Sequence, residues 1–333
     1  MPHAFIIGGT GQIGIAAAAE LLRRGWTATL GHTGRYTPQN IPTGATLAII
    51  DRQNTSLLRD TLVSGVDALI DTMAFRASHA DQLIGLRGLY GRLVVISSAS
   101  VYQDPQGRSI ETAGTIGLPE FATPRSETDE TVTAGPESYS SGKVELEQRL
   151  LESPISVTIL RPCAVHGINS KHPREWWFVK RMLDGRRTIP LAGNPNTRFH
   201  TSATVNIAAV LAASLDRPGQ HILNAGDPAP PSVRQIGETL AALLGWTGSF
   251  VGVPDNSPAG HTPWSVPHDF TVSMQAAEAI GYRPAASYAD AVAPYLAWMK
   301  THADDWRTAF PMFALYPHDP FDYALDERAF SGS

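Results

Sequence analysis

Tyr139 and Lys143 stand four residues apart in the stretch YSSGK. On a helix that spacing places both side chains on one face, where the ammonium can draw the phenol's pKa down from about 10 toward a working range. A tyrosinate formed this way exchanges protons with an alcohol. An ordinary amphipathic surface pair has the same spacing, so other groups must decide. Upstream, VVISSASVY ends an apolar run in hydroxyls, where a carbonyl oxygen would need a second hydrogen-bond donor, and Ser98 is the hydroxyl expected to supply it.

A third feature opens the chain. FIIGGTGQIG spans residues 5–14 and sets Gly8, Gly11 and Gly14 after an apolar run and at the start of an alanine-rich helical stretch. A loop in that context lets backbone approach a pyrophosphate at the positive end of a helix dipole, with Thr10, Gln12 and Ile13 in the same turn. A tight turn packed by small residues is the plainer alternative.

The elements that must hold these groups follow a βαβ rhythm, the pattern of a parallel sheet. HAFIIGG reads as a strand and QIGIAAAAELLRRG as a helix closed by Gly25. TATLGH and ATLAIID read as the next strands, TSLLRDTLVSG as a helix, VDALIDTMA as a fourth strand and GRLVVISSASVY as a fifth. After a polar stretch over 104–136, SYSSGKVELEQRLLES returns to helix and ISVTILRPCAVHG to strand. Beyond it proline and glycine become denser, which marks a change of domain.

Composition limits the function classes. The 333 residues are 43% hydrophobic and 17% charged with a net charge of −5, which suits a soluble globular chain and offers no general attraction to nucleic acid or anionic lipid. No apolar run approaches the roughly 20 residues that span a bilayer, and the first residues lack a signal-peptide pattern, so no membrane partner and a cytoplasmic location are expected. The single cysteine, Cys163, excludes an intramolecular disulfide and a thiolate metal cluster. Eleven histidines show no ligand spacing, so no metal is expected.

Together GGTGQIG, SSASVY, YSSGK and LRPCAVHG resemble the extended short-chain dehydrogenase/reductase family, the group that includes NAD-dependent epimerases and dehydratases, over about two thirds of the chain. The resemblance implies an α/β fold with a doubly wound Rossmann sheet and a smaller C-terminal substrate lobe. It puts the dinucleotide-binding domain at 1–165 with a returning segment near 197–226, and the substrate lobe with its aromatic tail at 166–196 and 227–333. It implies Tyr139 as acid/base, Lys143 as its modulator and ribose ligand, and Ser98 as donor to the substrate oxygen. It also implies Asp51 and Arg52 beside the adenine, Met73, Ala74, Phe75 and Arg76 along the nicotinamide, and a homodimer through two helices, one of them bearing Tyr139, although monomers also occur in the family. Phe75 could equally be a lid on the core.

A carboxylate about 20 residues past the glycines normally binds the ribose 2′-hydroxyl of NAD. Here the second strand ends in LGHTGRY without one, and Arg35 suits a 2′-phosphate, so NADP is read in preference to NAD. Arg35 could instead be a solvated loop charge, and His32 could pack on adenine. Ala99 and Ser100 replace the Asp-Glu of sugar 4,6-dehydratases, and Thr204, Val205 and Asn206 replace an acidic pair usual in nucleotide-sugar relatives. Substrate contacts are therefore sought among Phe75, Ser100, His166, Trp176, Arg198 and His200. Of Trp176 and Trp177, adjacent on a helix, at most one can easily face a pocket.

The expected function is hydride transfer at a secondary alcohol or ketone of a small molecule, with the tyrosine relaying the proton. A sugar epimerase that recycles NAD is the alternative. An RNA-binding or regulatory protein that has retired the chemistry on the same fold is the alternative of another class.

Overall fold

The computed structural model describes residues 1–331. Its strands are β1 (His3–Ile7), β2 (Thr27–His32), β3 (Ala45–Ile49), β4 (Val66–Asp71), β5 (Tyr90–Ile96), β6 (Val157–Pro162), β7 (Ala164–His166), β8 (Thr188–Ala192), β9 (Thr201–Ala203), β10 (Gln220–Ala225) and β11 (Ser249–Val253). Its helices are α1 (Gln12–Arg23), α2 (Thr55–Thr61), α3 (Ala77–Gly85), α4 (Tyr139–Leu151), α5 (Trp176–Leu183), α6 (Thr204–Leu215), α7 (Val233–Leu244), α8 (Gln275–Ala279), α9 (Tyr288–Thr301), α10 (Trp306–Ala309) and α11 (Tyr323–Ser331).

Seven strands form one parallel sheet in the order β10-β6-β5-β4-β1-β2-β3. Their apolar runs reflect burial on both faces, because crossover helices cover a parallel sheet on each side. On one face α1 and α6 pack together through small residues, including Ala17, Ala18, Ala209 and Ala213. On the other α3 and α4 lie side by side over Leu69, Leu93, Val95 and Ile159. Strand order reverses between β1 and β4, and in such sheets the crevice at the reversal takes the ligand.

The local details explain where the sequence pattern misled. ISVTILRPCAVHG is two strands, because at Cys163 the backbone N–H turns to the Ser202 hydroxyl (2.9 Å) and Ala164–His166 pairs with β9. The segment after Arg198 gives only the three-residue β9 before α6, while β10 returns to the main sheet beside β6. A helix over Ala77–Gly85 lies between the fourth and fifth strands, where the sequence pattern gave no helix. The rest of the chain builds a second core of aromatic rings, among them Trp176, Trp177, Phe178, Trp264, Trp306 and Phe310, around the two-stranded β8–β11 sheet and helices α5, α7 and α9. No described helix is long and apolar enough to cross a membrane.

Candidate active site

The glycine turn lies at the strand reversal, and the reason for each glycine is geometric. Gly8 has φ +72°, and a Cβ there would come within 2.5 Å of Met73 Cγ and Thr72 Oγ1, just past the end of β4. A Cβ on Gly14 would stand 2.6 Å from Gly9 Cα, so α1 can press on the turn only because this residue lacks one. Gly11 occupies the N-cap of α1, and no side chain caps the helix there. The N–H groups of its first turn, at Gln12, Ile13 and Gly14, therefore face a cradle that a side chain would fill, which is what a pyrophosphate requires.

At the end of β2, His32 Nδ1 accepts the Gly34 N–H (3.2 Å). Arg35 follows in the exposed loop, and its guanidinium forms no hydrogen bond or ion pair with the described residues. Asp51 is exposed and accepts the Gln53 N–H (2.9 Å). Arg52, expected beside the adenine, is turned inward. Its guanidinium is held by the fully buried Asp71 (2.6 Å) and by Gln82 Oε1 (2.9 Å), because a buried carboxylate at the end of β4 needs a paired charge.

Ser98, Tyr139 and Lys143 converge where β4 and β5 end. Ser97 is committed elsewhere, since its hydroxyl donates to Glu147, itself locked to Arg161 in a buried ion pair (2.5 Å). Ser98 stands half-buried at the head of a helical turn and accepts the Ser100 N–H (3.1 Å). Tyr139 is the first residue of α4, half exposed, with Ser98 near enough to its phenol to draw the pKa down. Lys143, one turn on, is buried, with Nζ donating to the Ala74 carbonyl (2.6 Å) and the Ile96 carbonyl (2.7 Å) and lying 4.6 Å from the Phe75 ring centre. Gly142 permits this approach, because a Cβ there would meet the Phe75 carbonyl oxygen at 2.9 Å. Phe75 is partly exposed, with its ring 6.2 Å from that of Tyr139.

The electrostatics differ from the expectation that Lys143 lowers the phenol. Burial pushes the Tyr139 pKa up; the Ser98 hydroxyl opposes this and the Glu111 carboxylate adds to it. The ammonium is engaged by two backbone carbonyls instead. Burial also brings Lys143 down to about 8, against the pull of Asp71 and Glu147 and with Arg52 adding to the fall.

Glu111 is a carboxylate that nothing in the sequence singles out. It lies in the polar stretch after β5, where no periodicity marks it, yet it accepts the Ser140 N–H (2.8 Å) and lies 3.0 Å from the Ser140 hydroxyl. The Ser140 hydroxyl is also 2.9 Å from Ser100 Oγ. Glu111, Ser140 and Ser100 thus form one hydrogen-bonded chain at the start of α4, beside Tyr139.

The expected substrate contacts divide sharply. Phe75 and Ser100 lie at the site. Arg198 is half-buried and pairs with Asp269 (3.4 Å). Trp176 is buried in the aromatic core against Phe310, and Trp177 is buried too, so neither faces a pocket. His166 is buried against Asp227 (2.8 Å), and His200 spans the Asp227 carbonyl (2.9 Å) and the Val272 N–H (3.0 Å). Both histidines hold the lobe together and present no face to a ligand. The physical reason is shared: each ring is caught in the packing around Asp227, and burial leaves it no open side.

The sequence pattern of the "NAD dependent epimerase/dehydratase family" matches residues 4–226. No curated protein matches the chain. Among solved structures, the UDP-glucose 4-epimerase of Thermus thermophilus, in complex with NAD, superposes with a TM-score of 0.66 at 17% identity, covering 90% of this chain and 99% of that one. The dTDP-glucose 4,6-dehydratase of Streptomyces venezuelae, also solved with NAD, gives 0.67 at 21% identity, covering 92% and 99%. The UDP-N-acetylglucosamine 4-epimerase of Bacillus cereus gives 0.67 at 15%, covering 90% and 100%.

Proposed function

Because the chain belongs to the NAD-dependent epimerase/dehydratase family, we propose that it is a nicotinamide-dependent oxidoreductase acting on a secondary alcohol or ketone of a small molecule. The observation that carries this reading is the convergence of Ser98 and Tyr139 at the strand ends, one helical turn from the buried Lys143 and beside a glycine turn with no room for a side chain.

The residues fit a dinucleotide. Gly8, Gly11 and Gly14, with Thr10, Gln12 and Ile13, would hold its pyrophosphate; Asp51 would border the adenine; Met73, Ala74 and Lys143 would border the nicotinamide ribose. Arg35, without a partner among the described residues, favours NADP, since a guanidinium matches a 2′-phosphate. The nicotinamide supplies or takes the hydride. In the reducing direction Ser98 donates a hydrogen bond to the carbonyl oxygen, and Tyr139 gives its phenolic proton to that oxygen as the alcohol forms. Oxidation reverses the transfer. Lys143 supplies positive charge beside the phenolate that reduction leaves. Glu111 acts as a positioning residue, fixing the first turn of α4 through Ser140.

An epimerase with recycled NAD is the second reading, favoured by the NAD-bound epimerase among the structural neighbours. Denaturing freshly purified protein and identifying the released nucleotide separates the two: tightly held NAD supports recycling, whereas an empty site that takes up NADPH supports net reduction. In either case Tyr139→Phe should cut turnover by about 10²–10⁴-fold, the usual worth of a positioned proton donor, with cofactor affinity within about twofold. Full activity in that variant would remove Tyr139 from the mechanism.

A further inference from the structure

An apolar cleft of about 130 Å³ opens between the stretch after β5 and the C-terminal lobe, walled by Ile110, Leu118, Phe199, Pro263, Val266 and Phe270. Ser98, Tyr139 and Lys143 do not line it, and its connection to the site runs through its inner wall, Ile110 and Phe270. Ile110 precedes Glu111, whose carboxylate takes the Ser140 N–H beside Tyr139. Ile110 and Phe270 also pack in one cluster with Ala99 and Val144, the immediate neighbours of Ser98 and Lys143. The same packing that positions the three reactive side chains therefore forms one wall of the cleft.

The chemistry of the lining selects the occupant. Ser265 and the exposed His268 are its polar side chains; no lysine or arginine lines it, and Arg174 stacks on Phe199 and Trp264 outside the lining. Three lining residues are prolines, Pro119, Pro263 and Pro267, which lack an N–H to offer a phosphate or a sugar hydroxyl. An apolar cavity of roughly 150 Å³ accepts a benzene-sized molecule. We propose that the cleft receives an apolar substituent, one aromatic ring or a short alkyl chain, carried on the reacting carbonyl or carbinol carbon, so that the substrate is an aryl or alkyl ketone or alcohol and not a nucleotide-linked sugar. This rests on the oxidoreductase reading above.

The test uses the full chain loaded with NADPH and a series of methyl ketones from acetone to 2-octanone, with acetophenone and UDP-glucose alongside, reading both calorimetric binding and turnover. Binding and kcat/KM should each rise about fourfold per added methylene until the cleft is full, as transfer of a methylene from water predicts. Val266→Asp, at a half-buried wall position, should weaken the longer ketones at least tenfold and flatten the dependence on chain length. The dependence on chain length should persist in binding to Tyr139→Phe, which does not turn over. Chain-length-dependent binding without turnover in the unaltered protein would sink the oxidoreductase reading and leave the cleft assignment standing. Turnover of small carbonyls with no dependence on chain length, or UDP-glucose binding more tightly than acetophenone, would overturn the cleft assignment.

Discussion

The two halves of the molecule put their polar residues to opposite ends. In the sheet domain Ser98 and Tyr139 sit at strand and helix termini, partly open to solvent, and the buried Lys143 lies one turn away. In the lobe His166, Glu175 and Asp227 are buried, and Asp227 accepts from the Ala203 N–H (2.7 Å) and Asn206 Nδ2 (2.8 Å) as well as facing His166. A parallel sheet leaves its carboxyl-terminal edge unpaired, so side chains there stay free to react. A small lobe built around aromatic rings buries its connecting backbone, and polar groups are needed inside to satisfy it.

The contrast predicts that lobe substitutions cost stability and that site substitutions cost turnover. Asp227→Asn should lose about 3–5 kcal/mol of unfolding free energy in denaturant titration, since it removes the hydrogen-bonded partner of a buried imidazolium and leaves it only Glu175, 3.9 Å away, while Tyr139→Phe should unfold like the parent. The loss should depend on pH. Burial opposes charge on His166, but Asp227, with Glu175 adding to it, overrides it and raises the pKa; stability from this pair is complete below the ordinary histidine value and fades as pH rises through the raised one. Burial would raise the Asp227 pKa, yet His166 brings it to about 2, so the contribution also fades as pH falls from the ordinary carboxylate range toward 2. The difference in melting temperature between the parent and Asp227→Asn should therefore be widest between about pH 4 and 6.5. A difference independent of pH would mean that the pair is not ionised.

Within the sheet domain the expected effects are smaller. Arg35→Ala should weaken NADPH about tenfold, the worth of a charge-assisted hydrogen bond, and leave NADH unchanged; equal losses for both would place the guanidinium away from the 2′-phosphate. The smallest effect is a displaced pH profile. Reduction needs the protonated phenol, so kcat/KM should fall as pH rises through the Tyr139 pKa. Glu111→Gln should move that fall to lower pH, because a neighbouring negative charge holds the phenol up, and Ser98→Ala should move it to higher pH. A profile unmoved by Glu111→Gln would leave the carboxylate with a purely structural part.

The sheet domain is legible in the sequence because its signals are local. The glycine spacing, the apolar runs and the four-residue step from Tyr139 to Lys143 each lie within one element or one turn, and backbone sterics alone constrain them. Arg52, His166, Trp176 and His200 mislead because each carries a type that reacts or binds in other settings, and burial is not encoded in type. Asn206 shows the same limit: in the sequence it is a missing acid, and in the fold it pins the Ala285 N–H (2.8 Å) and the Ala286 carbonyl (2.9 Å) ahead of α9.

By itself the sequence determined the strand-turn-helix cradle, the order of the sheet elements and which side chains could move a proton, since all of these follow from the periodicity of short segments. Tertiary structure alone decided that the ammonium of Lys143 faces two carbonyls, that Glu111 returns to Ser140 across 29 residues, and that Ile110 and Phe270, which wall an apolar cleft, pack with Ala99 and Val144. Those contacts join segments far apart in the chain, and only the packing of the whole chain sets their distances.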